Sequence, residues 1–127
     1  MAQKQCISVP GAPKPGGPMS HVVRYGNLLF LAGHIGRNPA DRALVQGMGA
    51  QTSRTLENIK TLLEAAGSSL DKVLSATVYI TDMSRKEEMN EAYKEFFRSD
   101  PPARTTVGVK DLGVGVEVEI TVIAGVD

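Results

Sequence analysis

The sequence predicts an α+β domain in which two helices cover one face of a β-sheet. Two stretches, at about residues 49–66 and 84–97, carry apolar residues at helical spacing, and the segments around them alternate or are rich in β-branched residues. Glycine and proline residues mark the connections. The 127 residues suffice for one modest core, and no linker or repeat divides them, so we assign residues 1–127 to a single domain.

Three strands are predicted before the first helix. Gln5–Val9 is a possible first strand, and His21–Tyr25 and Leu28–Ala32 follow a Gly- and Pro-rich loop. The last two segments flank Gly26-Asn27, which favours a tight β-hairpin. Residues 37–47 are predicted to form a polar loop.

The first helix is predicted from about residue 49 to residue 66. Its apolar residues form one stripe: Leu56, Ile59, Leu62, Leu63 and Ala66. Gly67 is suited to the left-handed residue that ends such a helix. Residues 73–81 then alternate and predict a strand.

The second helix is predicted to begin at a capping box, because Ser84 and Glu87 have that spacing. Asp100-Pro101 is expected to stop it. Its buried side is expected to hold Met89, Ala92, Tyr93, Phe96 and Phe97.

Two strands close the chain and carry the most informative polar residues. Pro101-Pro102 stiffens the approach to Arg104, which precedes the strand at residues 105–109 and presents a planar fork that matches a carboxylate. In the last strand, residues 116–123, alternation places Glu119 on the face opposite the valines. The two strands are candidate neighbours in the sheet, and the Glu119 carboxylate could accept or donate a proton. A solvated arginine and a solvated glutamate are the ordinary alternatives.

Charge and composition exclude several classes of function. The chain has 14 basic and 14 acidic residues, and we see no basic patch or histidine pair, so we expect neither nucleic-acid binding nor ribonuclease activity. No apolar stretch is long enough to span a membrane, and the first residues lack a signal core. One cysteine, Cys6, cannot form an internal disulfide. We therefore expect a cytoplasmic protein with no membrane partner.

The second face of the sheet is expected to be buried by another subunit. Two helices can cover only one face of a sheet of this size, and the remaining face still carries apolar side chains. The sequence pattern therefore predicts an oligomer without fixing its symmetry.

Several short motifs occur in a characteristic order along the chain. They are Gly17-Pro18-Met19-Ser20, Gly26 to Ile35, Gln51 to Lys60, Leu63 to Gly67, Thr77 to Met83, Asn90 to Phe97, Pro102-Ala103-Arg104, and Glu119-Ile120 before Ile123-Ala124. In this order and spacing the chain resembles the YjgF/YER057c/UK114 family, also called the Rid (reactive intermediate deaminase) family. The resemblance covers essentially the whole chain.

The resemblance implies a fold and an activity. It implies a chorismate-mutase-like α+β fold with a mixed sheet, assembled as a homotrimer with ligand sites at the subunit interfaces. It also implies hydrolysis of short-lived 2-enamino and 2-imino acids, such as 2-aminoacrylate, to 2-keto acids and ammonia, without a metal or organic cofactor. In this family pattern Arg104 clamps the substrate carboxylate, and Glu119 positions or activates water. Gly33 and the backbone of Thr106 contact the ligand.

The chain departs from the family pattern at four positions around the implied pocket. Met19 stands where tyrosine is frequent, Ala32 where serine is frequent, His34 where glutamine is frequent, and Lys86 where an aromatic residue is expected. Met19 and Ala32 remove two hydroxyl groups from the pocket wall. Lys86 adds a cation that would suit a larger or dicarboxylic substrate, although a solvated helix-start lysine and a structural strand histidine are the ordinary alternatives.

Three functions are therefore compatible with the sequence. The first is deamination of small 2-imino or 2-enamino acids. The second is deamination of a larger, aminomuconate-like dicarboxylate. The third is non-enzymatic binding of a 2-keto acid or a similar carboxylate, which would use Arg104 without a water-activating group.

Overall fold

A computed structural model describes residues 1–127 and contains six strands and two helices in the predicted order. The elements are β1 Gln5–Ile7, β2 Val22–Tyr25, β3 Leu28–Leu31, α1 Met48–Ala65, β4 Val73–Ile80, α2 Lys86–Tyr93, β5 Ala103–Gly108 and β6 Val118–Gly125. Single 3₁₀ turns precede β4 at Leu70–Lys72 and α2 at Met83–Arg85. No helix combines the length and apolar content needed to cross a membrane.

The strands form one mixed sheet in the order β1-β2-β3-β6-β4-β5. β2 and β3 form the predicted hairpin around Gly26-Asn27, with Tyr25 paired to Leu28. Helix α2 returns the chain to the same end of the sheet, so β5 pairs in parallel with β4, whereas every other pairing is antiparallel. β4 therefore lies between β5 and β6, so these two strands are not the neighbours that the sequence suggested.

Both helices pack on one face of the sheet. The alternate residues of β4 and β6 that face the helices are fully or almost fully buried and share one core with both helices: Ala76, Val78, Ile80, Val118, Ile120, Val122 and Ala124. On the opposite face, here called the open face, Phe30 remains 40% exposed and Val107 37% exposed. The open face is thus the partly apolar surface that the strand count predicts.

Helix α1 ends where the sequence predicts. Gly67 has a φ of +87°, the left-handed conformation that glycine tolerates without a steric penalty. The amide of Ser68 donates to the carbonyl of Leu63 at 2.8 Å, and the amide of Gly67 donates to Glu64 at 3.2 Å. These two bonds satisfy carbonyl groups of the last turn and send the chain back toward the sheet.

The predicted start and end of α2 are wrong. Ser84 does not cap the helix: α2 begins at Lys86, and its capping position, Arg85, makes no side-chain cap bond. The carboxylate of Asp82 instead accepts from the amide of Ser84 at 3.0 Å and from its hydroxyl at 2.6 Å, which caps the preceding 3₁₀ turn. The helix ends at Tyr93, well before Asp100-Pro101, yet Phe97 stays buried after a further turn.

The closing strands differ from the prediction only at their ends. β5 begins at Ala103, so Arg104 lies within the strand, and β6 runs two residues later than expected, from Val118 to Gly125. The Thr81 amide, just after β4, donates to the Glu117 carbonyl, just before β6, at 3.1 Å.

The buried side chain of Gln51 connects α1 to two loop segments, one before α1 and one before β6. Its amide nitrogen donates to the carbonyls of Val45 at 3.1 Å and Gly115 at 2.8 Å, and its carbonyl oxygen accepts from the amide of Glu117 at 2.8 Å. Gly36 lies against the backbone of Gln51, since a Cβ at Gly36 would be 2.8 Å from the main-chain carbonyl oxygen of Gln51. This contact network fixes the chain just before β6.

We expect Gln51→Leu to destabilise the fold by about 2–5 kcal/mol, because three partly buried backbone groups lose their side-chain partner. Denaturant unfolding measures this loss. Gln46→Leu is the matched control, since Gln46 is exposed and its one bond, to Leu44, is a long 3.5 Å. Equal stabilities for the two variants would contradict the role assigned to Gln51.

Candidate functional site

Arg104 lies on β5, an edge strand, and projects toward the helices. It pairs across the sheet with Ala76, whose side chain is buried in the helix-covered core, and cross-strand partners share a face. Because β5 ends the sheet, Arg104 sits at the rim of that core rather than inside it.

The guanidinium of Arg104 rests on residues of α2. Its central carbon is 4.8 Å from the centre of the Tyr93 ring, and Nη1 donates to the Sδ of Met89 at 3.9 Å. Arg104 forms no ion pair within the chain, whereas Arg85 and Arg98 both do. Its charge is therefore uncompensated, and most of its donors are free to bind an anion.

Two hydroxyl groups near Arg104 are buried and lack partners. They are the Oη of Tyr93 and the Oγ1 of Thr106, which follows Arg104 by two residues on the same face of β5. Burial raises the pKa of the Tyr93 hydroxyl, although the positive charge of Arg104 opposes that shift. Helical spacing predicts that Tyr93 and Met89 lie in the core, but it does not indicate their contact with Arg104.

Glu119 lies on β6 and faces the other way. It pairs with Tyr79, and both residues lie on the open face, because Val118 and Ile120 on either side of Glu119 are buried beneath the helices. Gly33 lies directly against its carboxyl group: a Cβ at Gly33 would be 2.9 Å from the Cδ of Glu119. A glycine is thus required for this close approach.

The Glu119 carboxyl group is suited to accept a proton. Burial raises its pKa above the ordinary value of 4.5, and no cation in the chain opposes this shift. No group in the chain donates a hydrogen bond to it, so both oxygens are free for water or ligand. A carboxylate with a raised pKa is a better general base than a solvated one.

The chain divides the predicted site residues into two clusters on opposite faces. The first, called the cation cluster, consists of Arg104, Thr106, Tyr93 and Met89 beneath α2. The second, called the acid cluster, consists of Glu119 and Gly33 on the open face. Since β4 separates their strands and the sheet separates their faces, one chain does not bring Arg104 and Glu119 together.

The remaining predicted site residues lie along the same division. Ala32 directly precedes Gly33, and its amide bonds to the carbonyl of His21 at 3.0 Å, at the acid-cluster end of the β2–β3 hairpin. Met19 lies in the loop before β2 and is 54% exposed. Lys86 is half-buried, forms no ion pair, and lies one turn before Met89 on α2, on the side of the cation cluster.

The structure contains a histidine pair that the sequence analysis did not find. The rings of His21 and His34 lie 5.4 Å apart, because the hairpin brings its two open ends together. His21 Nε2 bonds to the Pro13 carbonyl at 2.8 Å, and His34 Nε2 is buried without a partner. Burial, with help from His21 and Arg42, lowers the pKa of His34 to about 4. The expectation that the chain has no histidine pair is thus wrong.

Comparison with known proteins gives matches over nearly the whole chain. The family model described as "Endoribonuclease L-PSP" matches residues 10–126. A RutC family protein of Pyrococcus horikoshii is 46% identical over 122 residues, which are 95% of this chain and 97% of that protein. A 2-iminobutanoate/2-iminopropanoate deaminase of Dermatophagoides farinae is 37% identical over 121 residues, 94% of each chain.

A solved structure, E. coli TdcF with bound serine, has the same fold. It is 32% identical, superposes with a TM-score of 0.89, and covers 97% of this chain and 99% of its own. The predicted α+β fold of the chorismate-mutase-like type, with two helices on a mixed six-stranded sheet, is thereby confirmed.

Proposed function

The chain belongs to the family that the Endoribonuclease L-PSP model describes, the YjgF/YER057c/UK114 family, and on that premise we propose that it hydrolyses reactive 2-imino and 2-enamino acids to 2-keto acids and ammonia. The observation that carries the proposal is the unpaired fork of Arg104 on its uncharged support. The imine deaminase of D. farinae and the serine-bound TdcF support a small substrate that bears a carboxylate. We place the reaction in the cytoplasm.

The groups of this protein, together with water, suffice for the proposed reaction. Arg104 binds the substrate carboxylate, and the Glu119 carboxylate takes a proton from water as the water oxygen bonds to the imine carbon. The protonated Glu119 returns this proton to the imine nitrogen, which gives a carbinolamine with one hydroxyl and one amino group. The hydroxyl proton then passes to the amino nitrogen, with Glu119 as the relay, as the C–N bond breaks and ammonia leaves. The oxygen stays on carbon as the carbonyl of the 2-keto acid. Gly33 leaves room for the Glu119 carboxyl group that faces the substrate, and the Thr106 backbone contacts the ligand.

We propose that the complete site forms between copies of the chain, in a homotrimer. A free cation on an edge strand and a free carboxylate on a partly apolar open face are complementary between copies, although they cannot meet within one. Covering the open face also buries Phe30 and Val107, which a monomer leaves exposed. Light scattering should give a mass about three times 13.5 kDa.

Imine trapping tests the activity. An amino-acid oxidase acting on alanine generates 2-iminopropionate, and semicarbazide converts it to a semicarbazone. We expect the protein to lower the initial rate of semicarbazone formation, and an unrelated protein at equal concentration to leave it unchanged. Absence of suppression with this imine and with bulkier imines, combined with calorimetric binding of a 2-keto acid, would replace the enzyme with a non-enzymatic binder.

Mixing two inactive variants tests whether the site is shared. Arg104→Ala and Glu119→Gln subunits, unfolded together and refolded at 1:1, should regain activity, because random assembly joins an intact Arg104 to an intact Glu119 in about a quarter of the sites. Each variant refolded alone is the control. If the mixture stays as inactive as its components while forming mixed oligomers, the shared site is wrong.

A larger, dicarboxylic substrate is the second candidate. Lys86 is half-buried, forms no ion pair and lies one turn of α2 from Met89, so a second carboxylate near Arg104 would find a second cation. If the physiological substrate is of this kind, Lys86→Gln lowers activity on dicarboxylic imines and spares 2-iminopropionate. Equal effects on both substrates would remove this candidate.

A further inference from the structure

We propose that Tyr93 is a positioning residue: its ring holds the Arg104 guanidinium in the orientation that binds the substrate carboxylate. The inference rests on the proposed function in taking Arg104 as the carboxylate clamp. The evidence for it is separate, and consists of the contacts that α2 makes with Arg104.

The guanidinium of Arg104 stacks on the ring of Tyr93. With its central carbon 4.8 Å from the ring centre, the guanidinium lies over the Tyr93 ring at cation–π distance. An aromatic face holds a guanidinium through its plane and leaves the edge, where the N–H groups lie, free for a bidentate partner. The Sδ of Met89 accepts from one end of the group, at Nη1, which restricts rotation about the ring.

The side chains that support Arg104 carry no charge. A carboxylate support would hold Arg104 more tightly, but it would also compete with the substrate for the same donors. An aromatic ring and a thioether are uncharged, and sulfur is a weak acceptor. The support therefore fixes the arginine without neutralising it, as the absence of any Arg104 ion pair shows.

Tyr93 is itself held in place by the core. Its ring packs against Phe97 with centroids 4.8 Å apart, and only 6% of Tyr93 is exposed. This contact explains why Phe97 stays buried although α2 ends at Tyr93. Phe97, Tyr93 and Arg104 form a continuous stack from the core to the edge strand, so the core fixes the position of the clamp.

Two substitutions separate the ring from the rest of Tyr93. Tyr93→Phe keeps the ring and removes the hydroxyl, so as the conservative variant it should retain most of the carboxylate binding that Tyr93→Leu loses. Tyr93→Leu keeps apolar bulk and removes the ring, and we expect KM to rise by about 5- to 30-fold, the equivalent of one cation–π contact, with kcat changed much less. The inhibition constant of a 2-keto acid should rise in parallel.

A double-mutant cycle distinguishes positioning from general support of the fold. In an Arg104→Ala background, Tyr93→Leu should have no further effect on kcat/KM, because the residue that the ring positions is gone. A full, additive loss in that background, or an unchanged KM in Tyr93→Leu alone, would overturn the inference. If Arg104→Ala itself were fully active, the proposed function would fail instead, so the two failures are distinguishable.

A spectroscopic measurement covers the case in which Tyr93→Leu does not fold. Protons over an aromatic ring are shifted upfield, so the Arg104 side-chain protons, assigned by comparison with Arg104→Lys, should be upfield of those of Arg98 in the wild type and in Tyr93→Phe. Random-coil shifts for Arg104 in the folded wild type would overturn the stacking on which the inference depends.

Discussion

Replacing Arg104 with alanine should lower kcat/KM for imine hydrolysis by about 10- to 100-fold, since a charge-assisted bond in a partly buried site contributes about 1.5–3 kcal/mol. The loss should appear mainly as weaker binding, because the carboxylate is charged in the substrate and in the transition state alike. The measurement is the concentration of protein that halves the initial rate of semicarbazone formation.

Two further arginine variants show whether the fork or only the charge is needed. Arg104→Lys keeps the charge but cannot bind a carboxylate bidentately, so it should recover only part of the lost activity. Arg98→Ala is the matched control, because Arg98 is exposed and pairs only with Glu95 three residues earlier. If Arg98→Ala and Arg104→Ala lose activity equally, Arg104 is not the clamp.

The local pattern of the sequence was sufficient to predict which elements form and in what order. The hairpin around Gly26-Asn27, the α1 stripe and the cap at Gly67 each depend on neighbours within a few residues, and all are confirmed. The predicted start of α2 was wrong because Asp82 engages both the amide and the hydroxyl of Ser84, so this hydroxyl does not cap the helix. Asp82 bonds the amide of Ser84 and delays the helix to Lys86, and spacing alone does not rank Asp82 above Ser84.

The arrangement of the site depends on strand order, which local patterns do not contain. Alternation along each strand was predicted, but the face on which Arg104 lies follows from its pairing with Ala76 on β4, which lies 28 residues earlier in the chain. The insertion of β4 between β5 and β6 then separates Arg104 from Glu119. The histidine pair, by contrast, could have been predicted from the sequence. The register of a two-residue hairpin brings positions 21 and 32 together, and His34 follows two residues later.

Replacing Glu119 with glutamine should lower kcat by about 100- to 10,000-fold, the range that a positioned general base contributes. Glutamine has the shape of glutamate but cannot take a proton from water at neutral pH, so KM should change little. The measurement is single-turnover hydrolysis of 2-iminopropionate, which separates the chemical step from binding. Equal losses in binding and in rate would mean that Glu119 shapes the pocket instead of activating water.

The pH dependence of the wild type provides a second test of the same role. A base acts when it is deprotonated, so activity should fall as the pH drops through the pKa of Glu119. Burial raises that pKa, and in the assembled site the substrate carboxylate neutralises the Arg104 of the other copy, so the fall should begin at a higher pH than an ordinary glutamate would give. Suppression of the semicarbazone, compared at each pH with a reaction that lacks the protein, yields this profile. The residual activity of Glu119→Gln should not show that acid limb.

Glu117 supplies the matched control for this carboxylate. It precedes Glu119 by two residues, but its carboxylate pairs with Arg85, at the start of α2. Glu117→Gln should therefore leave kcat and its acid limb near wild type and cost some stability instead. If Glu117→Gln removed the acid limb while Glu119→Gln kept it, Glu117 would be the proton acceptor. Gly33 would then have no role at the site.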